Sequence, residues 1–259
     1  MQALANVFAS ASPGVAKKEL PWFAPYRSIL TWAGIGLAVV VLLSVGALLY
    51  LRPGEARQMY ADGERLAAAG KAVEAIAFFD QAVRKDPGNA DAYYARALSY
   101  GTLGNDSKVV QDLNVVLRLR PSFADAYFRR GSIYLKRSEY QKALQDFSKV
   151  LELNPGDGRA YNLRGSAYRS LGDYPRAIQD YSKAVEVDPT VDNYFQRATA
   201  YRAAGENQKA LADLDAVIAL RPDVYFMYAE RANVRKALGD NAGSEADRRR
   251  ARELEGPPP

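Results

Sequence analysis

The chain has no cysteine and no histidine. Without cysteine there can be no disulfide framework, no thiol nucleophile and no lipid-anchored cysteine. Without histidine, the commonest general base and the usual imidazole ligands of zinc are missing as well. Glycine-rich phosphate loops are also absent, and the carboxylate pairs that occur recur with the chain's internal period. No metal, no cofactor, no small-molecule substrate and no enzymatic activity are therefore expected. Charge of one sign is scarce too. The net charge is +5 over 259 residues, and Lys17, Lys18, Arg27 and Arg52, set against Glu19 and Glu55, supply two units of that excess. A nucleic-acid binder would concentrate basic residues on one face, so nucleic acid is not the expected partner.

One long stretch lacks charge altogether. Ser28 to Leu51 holds no charged residue, and Ile29 to Tyr50 is almost wholly apolar. As a helix that run spans about 33 Å, enough for a hydrocarbon core of roughly 30 Å. Trp22, Phe23, Tyr26 and Trp32 cluster at one end and Tyr50 lies at the other, where interfacial aromatics belong. A cleaved signal peptide would need a shorter apolar core and a small-residue cleavage site. A buried helix of this length would show a polar face. Residues 28–51 are read as a single transmembrane helix, 1–27 as a short tail, and 52–55 as a linker turning at Pro53 and Gly54. Gly34 and Ala38 form one small-xxx-small pair, which apolar helices often contain by chance.

From residue 56 the sequence repeats. Pro87, Pro121, Pro155, Pro189 and Pro222 recur every 33 or 34 residues. Ahead of these prolines stand Met59, Tyr93, Tyr127, Tyr161 and Tyr194, and the series continues at Tyr228. Leu66, Tyr100, Tyr134, Tyr168 and Tyr201 follow in the same register. Small residues recur at Gly63, Ala97, Gly131, Gly165, Ala198 and Ala232, and again at Ala75, Ala143, Ala177 and Ala210. Large apolar residues follow at Phe79, Phe147, Tyr181 and Leu214. A fixed period of this length means a stacked repeat array. Six copies stand in tandem, over 56–89, 90–123, 124–157, 158–190, 191–224 and 225–258.

Within each unit, two apolar-periodic stretches flank a turn, marked in five of the six by Gly70, Gly104, Gly172, Gly205 or Gly239. Glycine accepts the left-handed conformation at a helix C-terminus, and proline ends the unit because it cannot continue a helix interior. With each unit numbered from one, positions 4 and 27, 8 and 24, and 11 and 20 fold to matching heights about that turn. Small residues at 8 and 20 let two antiparallel helices approach, and aromatics fill the remaining space. One hairpin cannot cover its own apolar face, so the units must stack. In the last unit Arg235, Ser244 and Arg248 replace apolar or small residues, and a polar capping surface is expected there.

The pattern resembles the tetratricopeptide repeat family, seen best in Tyr127, Gly131, Tyr134, Ala143, Phe147 and Pro155. The resemblance covers about 200 residues. It implies an all-α fold: a right-handed α-solenoid of six helix-turn-helix units, here preceded by one transmembrane helix. It also implies a non-enzymatic scaffold that docks another protein. In this family the first helix of each unit lines a concave groove through positions 2, 5, 6, 9, 12 and 13. Carried over, these include Tyr94, Phe128, Arg129, Lys136, Arg159, Asn162, Arg169, Phe195, Gln196, Arg202, Asn233 and Lys236. Basic and amide donors interleaved with aromatics suit an extended acidic segment of a partner protein. The lysine–asparagine clamp that some members use for chaperone C-termini is missing, because position 5 is never lysine.

Arginine recurs at position 7 as Arg96, Arg130, Arg164, Arg197 and Arg231, and aspartate at position 23 as Asp112, Asp146, Asp180, Asp213 and Asp247. The first unit lacks both. Joint presence and joint absence predict an internal ion pair in each hairpin rather than repeated acid–base sites. The run D-R-R-R-A-R from Asp247 to Arg252 supports an alternative function, electrostatic binding of anionic lipid or nucleic acid. Both flanks of the apolar segment carry three basic residues, so charge alone does not orient it. Long domains cross regardless of charge, so the short tail with Lys17 and Lys18 is expected in the cytoplasm and the repeats outside, in the periplasm of a bacterium. The cytoplasmic arrangement is the alternative.

Overall fold

The computed structural model describes residues 54–255. The tail 1–27, the apolar segment 28–51 and the last four residues lie outside them. Among the described residues no helix is long and apolar enough to cross a membrane. Gly54 and Glu55, assigned above to a linker turn, are helical.

Twelve helices make up the described chain. They are α1 (54–68), α2 (Ala72–Lys85), α3 (Ala90–Thr102), α4 (Asp106–Leu119), α5 (Ala124–Lys136) and α6 (Tyr140–Leu153). Then follow α7 (Gly158–Ser170), α8 (Tyr174–Val187), α9 (Val191–Ala203), α10 (Asn207–Leu220), α11 (Tyr225–Ala237) and α12 (Asn241–Glu255). From α2 onward each helix packs on its chain neighbours, and α7 also touches α5 and α9, the first helices of the adjoining units.

Each hairpin turns on one residue with positive φ. Gly70, Gly104, Gly172, Gly205 and Gly239 take φ between 70° and 84°. The following N–H then reaches back five residues, as from Lys71 to the Leu66 carbonyl at 2.9 Å, which satisfies an otherwise orphaned helix end. The third unit makes the same turn with Ser138 at φ 60°, a conformation that costs an L side chain energy. Side-chain caps from Asn89, Asn105, Asp157, Asp173 and Thr190 start five of the helices.

The core lies between the two helices of a hairpin and under the next one. Phe79, Leu113, Phe147 and Tyr181, all at position 24, are fully buried. They press against the small residue at position 8 so closely that a Cβ added at Gly63 would fall 2.6 Å from the Phe79 ring. The last unit departs from expectation. Ser244 is buried rather than part of a polar surface, and its hydroxyl donates to the Ala232 carbonyl at 2.9 Å. A hydroxyl replaces the usual methyl there without loss because an acceptor faces it.

Candidate docking face

In five units the position 7 arginine donates through Nε and one terminal nitrogen to both oxygens of the position 23 aspartate. The distances are 2.6–2.9 Å at Arg96–Asp112, Arg130–Asp146, Arg164–Asp180, Arg197–Asp213 and Arg231–Asp247. The aspartates are only 3–5% exposed. The third nitrogen reaches back into the preceding unit, to Asp80, Asn114, Ser148, Ser182 or Asp215 at position 25. Each guanidinium also lies over its unit's position 4 tyrosine, 5.3–5.8 Å from the ring centre. Hydrogen bonds donated to Asp146 and Asp180 hold Arg130 and Arg164 above the usual arginine pKa against the opposing effect of burial. For Arg96, burial is the largest influence and would lower the value, but Asp112 and Asp80 together outweigh it. A permanently charged arginine saturated with acceptors has no proton to trade. It clamps one hairpin shut and fastens it to the previous one.

The first helices of the units line a recess. A cavity of about 760 Å³ has Leu98, Gly101, Phe128, Arg129, Ser132 and Arg159 in its wall. It adjoins one of about 400 Å³ through shared Leu98 and Thr102, and one of about 330 Å³ through shared Phe128 and Arg159. Leu98 stands at position 9, where later units carry Ser132, Ser166, Thr199 and Asn233. Around it, Ala67, Ala95 and Gly101 leave the floor open. Charge and aromatic spacing do not mark this stretch; its signal in the sequence is a cluster of small residues at the same inward positions.

The residues carried over from the family lie along this face but differ in how free they are. The Tyr94 hydroxyl donates to Asp125 and accepts from Arg129 Nε at 2.7 Å, and Arg129 also bonds Asp125 at 2.9 Å. Phe128 packs edge-on against Phe147 and lies beneath the Arg159 guanidinium at 4.9 Å. Arg159 remains 76% exposed. Asn162 is not an open donor: it is buried, and its amide bonds Asn193 at 2.6 Å and Asp192 at 3.3 Å. Lys136 pairs with Asp106 at 2.9 Å, Arg202 with Glu230 at 3.5 Å, and Arg169 donates to Thr199 at 2.9 Å. Phe195 meets Phe226 edge-on at 5.7 Å, and Gln196 bonds Asp192. Asn233 and Lys236 are exposed.

The terminal arginine run is less free than its sequence suggests. Asp247 is buried in its clamp and shared with Arg235 at 3.0 Å. Arg248 and Arg250 pair with Glu245 and Glu253, each at 3.1 Å, which leaves Arg249 and Arg252 as exposed cations.

Stacked two-helix hairpins with an inward row of first helices define an all-α repeat scaffold. Profiles described as tetratricopeptide repeat match residues 124–157 and 158–191, and a further one matches 192–223. Residues 124–223 thus carry three consecutive tetratricopeptide repeats. Among similar solved structures, MamA from Desulfovibrio magneticus RS-1 is 25% identical, with a TM-score of 0.62 over 65% of this chain and 96% of its own. A tetratricopeptide repeat protein from Parabacteroides merdae is 23% identical, with a TM-score of 0.65 over 75% of this chain and 77% of its own. YrrB, described as a TPR protein with an unusual peptide-binding site, is 19% identical, with a TM-score of 0.62 over 68% of this chain and 92% of its own. No curated protein matches the sequence.

Proposed function

We propose that this chain is a membrane-anchored docking scaffold that holds an extended, acidic segment of a partner protein along the inner face of its repeats. The observation that carries the reading is the run of three adjoining recesses along the first helices, walled by Leu98, Phe128, Arg129 and Arg159. Their lining mixes apolar and small residues with Arg129, Arg159 and the carboxylates of Glu64, Asp106, Asp125, Asp188 and Asp192, a mixture that suits capture of an extended peptide. The anchor is residues 28–51, with the repeats outside the cytoplasm. The lipid or nucleic-acid alternative is less favoured, since Glu245, Asp247 and Glu253 lie among the arginines of the terminal run and dilute its positive charge.

The test is a photo-crosslinking amino acid placed in the full chain in cells, at Leu98 or Ser132 on the inner face and at Gln111 on the exposed side of α4. Crosslinks to one protein from the two inner sites alone support the reading. The same products from Gln111 would move the docking face elsewhere.

A further inference from the structure

Three cations share one repeat position at the end of the first helices. Arg169, Arg202 and Lys236 stand at position 12 of the fourth, fifth and sixth units, each in the last turn of its helix, while Lys136 stands at position 13 of the third. None belongs to an arginine clamp. Three reach toward a neighbouring unit, Lys136 to Asp106, Arg169 to Thr199 and Arg202 to Glu230. Lys136 is 71% exposed and Arg202 47% exposed, and exposed ion pairs of this kind are worth little and exchange easily. Lys236 has no ion pair among the described residues. Arg129 stands apart, because Asp125 and Tyr94 on the same face already satisfy it.

The spacing of the row sets a register. First helices in contact lie about 8–10 Å apart, and α5, α7 and α9 are in contact. A polyproline II segment repeats every three residues with a rise of about 3.1 Å per residue, so every third side chain shares a face at about 9.3 Å intervals. One cation per unit therefore faces one side chain in three. We propose that the partner segment lies along this row in polyproline II conformation, with a carboxylate at every third residue and one carboxylate per repeat unit from the fourth to the sixth. This rests on the docking reading above and specifies its ligand. Charge complementarity selects the segment, and register distinguishes it from an equally acidic chain without the period.

The experiment measures binding of fluorescent synthetic peptides to the full chain in detergent micelles. One peptide is three consecutive Glu-Pro-Ala triplets. The other has the same composition with its glutamates contiguous. The first should bind about tenfold tighter, since three weak exposed pairs formed together reach that range. Arg169→Glu with Arg202→Glu should remove the difference while the helical circular dichroism and melting temperature stay as in the parent. Equal affinity for the two peptides, no binding of the triplet peptide, or unchanged affinity in the double variant would overturn the register. Displacement by an oligothymidylate of similar length as readily as by the triplet peptide would also overturn it, by showing a general anion strip. The crosslinks from Leu98 and Ser132 judge the docking reading separately, so either idea can fail while the other stands.

Discussion

Arg164 and Asp180 face each other across one hairpin, with both carboxylate oxygens taken by guanidinium nitrogens at 2.8 Å, while the third nitrogen of Arg164 reaches Ser148 of the preceding unit at 3.1 Å. One side chain thus fixes the angle within a unit and the contact between units. Removing the arginine strands a nearly buried carboxylate. Arg164→Ala should therefore cost about 1–3 kcal/mol. Asp180→Ala in the same chain should return part of that loss. Thermal or denaturant unfolding of the two single variants and the double variant checks it, and strictly additive losses would mean that the two residues do not act as a pair.

Much of this was legible in advance because the period multiplies weak signals. Tyr127, Gly131, Ala143 and Phe147 suggest little alone, but the same types in register through neighbouring units give the hairpin, its turn and its packed positions. Arginine at 7 and aspartate at 23 could be paired because they come and go together. The second attachment of each arginine could not be read, since position 25 varies among aspartate, asparagine and serine and shares only an acceptor oxygen. The state of the groove cations was hidden for a related reason. Asp106, Asp125 and Glu230, which engage Lys136, Arg129 and Arg202, follow no single repeat position, so periodicity does not expose them.

The closest approach within a hairpin gives a sharper packing test. A methyl at position 63 would stand 2.6 Å from the Phe79 ring, which is completely buried, whereas at Gly131 the nearest atoms are 3.1 Å away. Gly63→Ala should lose about 1–3 kcal/mol by overpacking, and Gly131→Ala less. Shortening the ring by Phe79→Leu should recover part of the first loss, which denaturant melts of the single and double variants would reveal. Equal losses at the two glycines would mean that the first hairpin opens freely.

Ser138 offers the opposite sign. It is exposed, it turns the third hairpin at φ 60°, and its counterparts are glycines at φ 70–84°. Ser138→Gly should stabilise the protein by about 0.5–1 kcal/mol, because the relief of side-chain strain exceeds the added entropy of the unfolded chain. Gly172→Ala, at φ 78°, should destabilise by a similar amount. A fall in melting temperature for Ser138→Gly would contradict the strain argument.

Asn193 marks the place where a unit is one residue short. Neighbouring units have alanine at its position, as Ala92, Ala126 and Ala160, but Asn193 donates to the carbonyls of Ala184 at 3.3 Å and Asp188 at 2.7 Å and accepts from Asn162. It adds a second hydrogen bond to each of these carbonyls, which already accept the N–H groups of Asp188 and Thr190 at the end of α8. Asn193→Ala should cost about 1–3 kcal/mol through the loss of these hydrogen bonds and of the one from Asn162. Hydrogen exchange should rise at the junction of α8 and α9 while the first two units stay protected, and uniform loosening along the array would argue against a local role.

The proposed anchor, and the side of the membrane on which it would place the repeats, can be tested because the chain has no cysteine of its own. A single introduced thiol is then the only thiol in the molecule. On the repeat side Ser122 suits the purpose: it is exposed, and it sits in the turn before α5. Asp157 does not, since its side chain caps α7 by accepting the Ala160 N–H at 3.1 Å. On the other side Ser12 serves, in the tail that carries Lys17 and Lys18. A membrane-impermeant maleimide added to intact cells whose outer barrier has been permeabilised should label Ser122→Cys and leave Ser12→Cys unmodified. That follows if the short basic tail stays in the cytoplasm while the long folded domain crosses irrespective of its charge. Labelling of Ser12→Cys alone would place the repeats in the cytoplasm. Labelling of both in intact cells, with the chain remaining soluble after membranes are pelleted, would remove the anchor itself.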